Sequence, residues 1–241
     1  MSTNKIIQQA WSHVELILAK DKSGHGMDHV RRVYDMSMRF AKEVDEPVDL
    51  LVVGLTAQLH DVDDYKLVGK DQAEKLSNAN KILDKLDVDE LTKSRVLENI
   101  AKIGYKKALS GARPTRIEGM IVSDADMCDA MGASGVIRCL TYAVSDKGSG
   151  VIFDQEVWPI TEMSADNYNN SGTTHGTDSF INHFFEKLLK LKSFMLTYPG
   201  DNEAADRHDL MVNFLRAYFR EENATDWSEF LEKYVKTKLC K

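Results

Sequence analysis

Three short stretches hold residues whose types and spacing could do chemistry. In GHGMDHVRRV, His25 and His29 are four residues apart and Arg32 follows by three. A helix starting near Gly26 would set all three along one edge, beside an apolar stripe and at the boundary between core and pocket. In LTAQLHDVDDYK, His60 and Asp61 end a run that is apolar almost all round. A carboxylate there is doubly disfavoured, because burial strips its hydration and a helix C-terminus already carries partial negative charge. Asp63 and Asp64 add charge in the same turn, and Lys66 is the only cation near in sequence. A divalent metal would compensate; a helix end that has reached solvent would also account for the acids. In IVSDADMCDA, three aspartates enter a small-residue helix, so at least one faces inward. The pattern alone does not choose between Asp124 and Asp126.

Helices must position these groups. Val30, Val33, Ser37, Phe40, Ala41 and Val44 recur at three- and four-residue steps, as one buried helix face requires. Asp49 to Leu59 is interrupted only by Gly54, Thr56 and Gln58, which places that helix in the middle of the fold. The first twenty residues and the segments near 71–86, 89–103, 115–130, 179–197, 201–220 and 225–238 repeat the amphipathic pattern. No alternating strand run bounded by hairpin turns occurs, so the expected class is all-α. From Ser145 to Ser179 the chain is rich in Gly, Ser, Asn and Thr. Unstructured loops longer than about 15 residues are uncommon inside a domain. This one reads equally as a surface excursion or as a lid over a site.

Composition narrows the partners. The 241 residues suit a single domain, with a metal-site core over about 20–130 and C-terminal helices over about 179–238 closing the pocket. With 43% hydrophobic and 29% charged residues the chain is too polar for a membrane protein, and its start lacks a secretory pattern. Its three cysteines have no CxxC spacing, as expected of reduced thiols in a cytoplasmic protein. A net charge of −7 disfavours nonspecific nucleic-acid binding and leaves small molecules as the expected partners.

His29, the pair His60-Asp61 and an aspartate of Asp124-Ala125-Asp126, in that order, resemble the H…HD…D signature of the HD-domain superfamily. HxxxHxxRV, LHDxxDxK, SDADxxDAMGAxG and INHFFEKLLKLK together resemble one bacterial branch of small, stand-alone HD phosphohydrolases, over about residues 25–220. The resemblance implies an HD helical bundle and a metal held by His29, His60, Asp61 and Asp126. It selects Asp126 over Asp124 because in that family the last metal-binding aspartate follows an alanine.

Two neutral imidazoles and two carboxylates suit one borderline or hard divalent ion, Mn²⁺ first, with Mg²⁺, Co²⁺, Ni²⁺ or Fe²⁺ as alternatives. Such an ion can activate water and polarise a phosphoryl group. Asp64, three residues beyond Asp61, is the candidate for orienting or deprotonating that water. Lys66, Arg32 and His25 could neutralise phosphate oxygens, since phosphoryl transfer is mostly positioning and charge stabilisation. Asn182, Lys187 and Lys190, with His183 and Lys106 as weaker candidates, could form the far wall of the phosphate pocket. No histidine lies between His60 and His175, whereas binuclear HD variants draw ligands from that interval, so one metal is expected. No Walker loop or GxSxG elbow occurs. The implied substrate is a phosphate ester or anhydride, with nucleoside triphosphates and their deoxy forms first. A nucleotide-binding regulator without turnover is the alternative, and assembly as a homodimer is left open.

Overall fold

The computed structural model describes residues 3–19, 26–146, 148–162 and 179–239, except for the side chains of Lys66, Lys238 and Leu239. All regular structure among them is helical. The chain divides into two compact units, Met1–Asp129 with Phe194–Asp201, and Ala130–Ser193 with Asn202–Lys241.

The first unit contains α1 (Thr3–Leu18), α2 (Met27–Phe40), α3 (Leu50–Leu59), α4 (Tyr65–Val68), α5 (Lys70–Glu74), α6 (Ser77–Lys85), α7 (Glu90–Ile100), α8 (Tyr105–Leu109) and α9 (Ile117–Asp129). Helix α3 is the centre, packed by α1, α2, α7 and α9. Its residues from Val52 to Leu59 are all buried, as a helix apolar on every side must be. Asp49 starts it, accepting hydrogen bonds from the Leu51 and Val52 amides. Gly54 lets its neighbours close in: a Cβ there would stand 2.7 Å from Ile7 Cδ1 and 3.3 Å from Tyr34 Cε2. The buried faces of α1 (Ile6, Ala10, Val14, Leu18) and α2 (Val30, Val33, Phe40) carry the spacing that their sequences show.

The sequence segment near 71–86 is two helices, α5 and α6, because Leu76 adopts a left-handed conformation (φ 48°) between them. Asp63 secures the second of these. It is buried, and its two carboxylate oxygens accept from the Asn78 and Ala79 amides at 2.8 Å each. Asn78 Nδ2 answers by donating to the Val62 carbonyl at 2.8 Å. Helix α6 thus begins on the turn that follows His60-Asp61.

The second unit contains α10 (Gly132–Ala143), α11 (Phe180–Glu186), α12 (Tyr198–Glu221, from Asn202 onward) and α13 (Thr225–Leu239), with a 3₁₀ turn (Leu188–Phe194, up to Ser193). Its core is aromatic. Trp158 and Trp227 stack at 4.5 Å, and Phe185 packs edge-on against Tyr234, whose hydroxyl donates to the Phe185 carbonyl. Helices α8 and α10 are absent from the sequence expectation. The first is very short, and α10 leaves Ile137 and Leu140 exposed, so its pattern does not point at a core. No helix among the described residues is long and apolar enough to cross a membrane. Within the segment 145–179, residues 147 and 163–178 lie outside the described residues.

Candidate metal centre

Three elements of the first unit bring acids and imidazoles together. His29 stands in the first turn of α2, His60 caps the C-terminus of α3 with Asp61 next, and Asp126 lies on α9. His29 and His60 are buried at 2% and 9% exposure, so neither is a surface histidine that happens to lie nearby.

Each imidazole is held by its Nδ1, which leaves Nε2 for the cluster. His60 Nδ1 donates to the Ala57 carbonyl at 2.8 Å, and His29 Nδ1 lies 2.7 Å from Asp129 Oδ2. The two Nε2 atoms are 3.1 Å apart. Asp61 Oδ2 is 3.2 Å from His29 Nε2 and 3.5 Å from His60 Nε2. Asp126 Oδ1 is 3.5 and 3.8 Å from the same two atoms.

These separations test the fit of a metal ion. Ligand atoms bonded at about 2.1–2.3 Å lie about 3.0–3.3 Å apart along an octahedral edge and about 3.4–3.8 Å apart along a tetrahedral one. The observed 3.1–3.8 Å span both. Each carboxylate oxygen stands at ligand spacing from both nitrogens, a mixed donor set that fits a divalent ion and leaves its identity open. His29, His60 and Asp126 offer donor atoms that all fall within 4.8 Å of one another; Asp61 is outside that trio and approaches the two imidazoles. Metal-free, His29 is opposed in its charging by burial. Hydrogen bonding to Asp129 and Asp61, with the charges of Asp61 and Asp126, overcomes this and raises its pKa to about 9.

The aspartates of IVSDADMCDA have three different settings. Asp126 is partly exposed at the cluster, with 22% of its side chain accessible. Asp124 is fully buried and turned elsewhere. It accepts from the Leu196 amide, the Thr197 amide at 2.8 Å and the Thr197 hydroxyl at 2.7 Å. Burial outweighs these bonds and raises its pKa to about 6. A Cβ at Gly200 would stand 2.3 Å from Asp124 Oδ2, so only glycine allows the 194–201 segment to pack this closely. Asp129, also fully buried, faces His29 and Arg32.

The expected phosphate-binding residues have mixed settings. Arg32 is engaged by Asp129 through Nε at 2.6 Å and Nη2 at 3.0 Å. Asp64 follows the centre in a tight turn, its amide donating to the Asp61 carbonyl at 3.1 Å. Lys66 falls within α4, and His25 lies outside the described residues. Lys106 is exposed and sits over the Tyr65 ring at 5.7 Å. Its neighbour Lys107 is the one that interacts with Asp61, Asp126 and Asp64, and burial lowers its pKa against their pull. Lys107 Nζ also donates to the Ile100 carbonyl at 2.9 Å. Asn182, His183, Lys187 and Lys190 all belong to the second unit. Asn182 is fully buried, its Nδ2 donating to the Val157 carbonyl at 2.9 Å. Burial and the Lys187 charge push the His183 pKa down to about 3.

Asp129 and Lys107 were not singled out in the sequence. A signal for Asp129 existed, since a third acid in a small-residue helix needs a buried partner; Lys107 differs from Lys106 only by one position of helical phase.

No family model matches the sequence. The chain is 31% identical over 220 residues to YpgQ of Bacillus subtilis, covering 90% of this chain and 93% of the relative. It superposes on an HD-superfamily hydrolase of Bacillus thuringiensis with a TM-score of 0.70 at 30% identity, over 92% of this chain and 100% of the other. Against YpgQ in complex with ADP the TM-score is 0.65 at 25% identity, over 92% and 97% of the two chains. The helical class, the arrangement of His29, His60, Asp61 and Asp126, and a likeness that spans both proteins lead to one assignment: the chain belongs to the HD superfamily of hydrolases.

Proposed function

We propose that the protein is a metal-dependent phosphohydrolase that cleaves a nucleotide, with nucleoside and deoxynucleoside triphosphates as first candidates and a phosphoanhydride as the bond broken. The observation that carries this reading is the pair of imidazole nitrogens on His29 and His60, 3.1 Å apart, with one carboxylate oxygen of Asp61 and one of Asp126 each standing 3.2–3.8 Å from both. The nucleotide class draws support from the ADP complex of the Bacillus subtilis relative. One divalent ion, Mn²⁺ by preference, would supply Lewis acidity toward a phosphoryl oxygen and lower the pKa of water.

The chain's own residues do the rest. His29 and His60 are fixed by their Nδ1 contacts, so their rings need no reorientation to present Nε2 to an ion. Asp64 is the group assigned to orient the attacking water and accept its proton. Asp64 shares the neighbour Lys107 with Asp61 and Asp126. The Lys107 ammonium offsets part of the carboxylate charge that would otherwise repel an anionic substrate. Arg32, with 40% of its side chain accessible, offers its outer edge to phosphate while its Nε and Nη2 stay on Asp129. Lys66, Lys106 and His25, and separately Asn182, His183, Lys187 and Lys190, are the remaining candidates for contact with the nucleotide's phosphates.

Purified protein incubated with a nucleotide panel and Mn²⁺, Mg²⁺, Co²⁺ or Ni²⁺, with products separated by chromatography, tests the proposal. Release of pyrophosphate or phosphate from a triphosphate supports it and identifies the bond. Tight nucleotide binding with no product in any metal would replace it with the regulator reading.

A further inference from the structure

One buried carboxylate touches the metal cluster without being among its candidate ligands. Asp129 is fully buried, three residues beyond Asp126 on α9. Arg32 is three residues beyond His29 on α2. Residues three apart lie on one edge of a helix, so each helix offers two adjacent groups to the other. The first of each pair, His29 and Asp126, meets at the cluster with 3.5 Å between Nε2 and Oδ1. The second of each pair, Arg32 and Asp129, makes a two-pronged contact at 2.6 and 3.0 Å. Asp129 Oδ2 also reaches sideways to His29 Nδ1 at 2.7 Å.

We infer that Asp129, held by Arg32, is a positioning residue that sets the metal affinity of the site by fixing both the tautomer of His29 and the register of α2 against α9. The inference rests on the metal-centre reading above. Asp129 is not placed to ligate the ion: it contacts the Nδ1 side of the imidazole, and the cluster gathers on the Nε2 side. As an acceptor, it holds a proton on Nδ1, so that Nε2 is the nitrogen that gives up its proton to an ion, and its negative charge makes that nitrogen a better donor to a cation. Arg32 matters because a free carboxylate can rotate. The planar guanidinium engages both oxygens, which leaves one orientation toward His29. A lysine at 32 would keep the charge but not the fork. The buried charge of Asp129 is compensated by a cation on one side and an imidazole donor on the other.

Mn²⁺ titrations followed by electron paramagnetic resonance, on the wild type, Asp129→Asn and Arg32→Lys, test the inference without any substrate. Loss of an outer carboxylate partner of this kind weakens metal binding by about 10–100-fold. Asp129→Asn should fall in that range, and Arg32→Lys should fall in the same direction by less. Because Arg32 is half-exposed, Arg32→Lys keeps the test open should the buried substitution prevent folding. Nuclear magnetic resonance of the Zn²⁺-loaded protein supplies a readout that a merely structural role would not move. The wild type should show His29 protonated at Nδ1 with a slowly exchanging proton, and both variants should show that proton exchanging faster. If the wild type binds Mn²⁺ and both variants bind it within twofold while only thermal stability falls, Asp129 is structural and the inference is overturned. If the wild type itself takes up no ion, the metal-centre reading fails and the inference fails with it.

Discussion

Metal uptake should cost His29 a proton. In the metal-free protein burial works against the charged imidazole, but the hydrogen bonds to Asp129 and Asp61 and the charges of Asp61 and Asp126 prevail and hold its pKa at about 9. Coordination requires a bare Nε2. At pH 7, two units below that pKa, about one chain in a hundred has it ready. The apparent affinity for Mn²⁺ should therefore rise about tenfold per pH unit between about pH 6 and 8, then flatten above about pH 9. Each binding event near pH 7 should release about one proton. Isothermal titration calorimetry in two buffers of different ionisation enthalpy measures both quantities together. The stability of the metal-free protein has the opposite slope. The folded pKa exceeds the unfolded value of 6.5, so the stabilisation, about 3 kcal/mol at about 1.4 kcal/mol per unit, is fully present below pH 6.5 and is lost as pH rises through about 9. An affinity that is flat over that range, with no proton released, would refute the reasoning and show that His29 is already neutral.

Substitutions should separate the roles of the neighbouring acids. Asp61→Ala removes a charged ligand from a largely buried site, so metal content and turnover should vanish together, as elemental analysis and kinetics on one preparation would show. Asp64→Asn should retain metal while kcat falls by about 10²–10⁴-fold, the usual scale for general acid–base assistance, with little change in KM; an unchanged kcat at full metal occupancy would remove Asp64 from its assigned role. Asp63→Ala should lower stability by about 1–2 kcal/mol in denaturant titrations, because two amides at the start of α6 lose their acceptor. Any loss of metal affinity in that variant should be smaller than in Asp61→Ala.

How much of this was legible in the sequence depends on whether the signal is local. The apolar run ending at His60-Asp61 marks a buried helix whose terminus carries an acid, and that conflict is visible without a structure. The choice between Asp124 and Asp126 is not, because it depends on what each meets across the fold: the Leu196 and Thr197 amides for the first, imidazole nitrogens for the second. Asp63 and Asp64 are equally acidic neighbours, yet Asp63 serves α6, a role set by the left-handed turn at Leu76. Lys106 and Lys107 show the same limit, since one residue of helical phase turns a side chain by about 100°. Arg32 reads in the sequence as a cation for phosphate oxygens or for some ion pair, and its partner, Asp129, is 97 residues away and leaves no local signal. The helical class was legible throughout, since period and the lack of strand alternation are properties of short windows. Helix α10 escaped because its exposed Ile137 and Leu140 do not trace a buried stripe.

The central claim is that His29, His60, Asp61 and Asp126 hold a single ion. Crystals grown with Mn²⁺ and measured on both sides of the manganese absorption edge test it directly. The account predicts one anomalous peak bounded by His29 Nε2, His60 Nε2, Asp61 Oδ2 and Asp126 Oδ1, with bonds of about 2.0–2.3 Å. A peak elsewhere in the chain, or these four side chains turned away from a common centre with Mn²⁺ in excess, would contradict it.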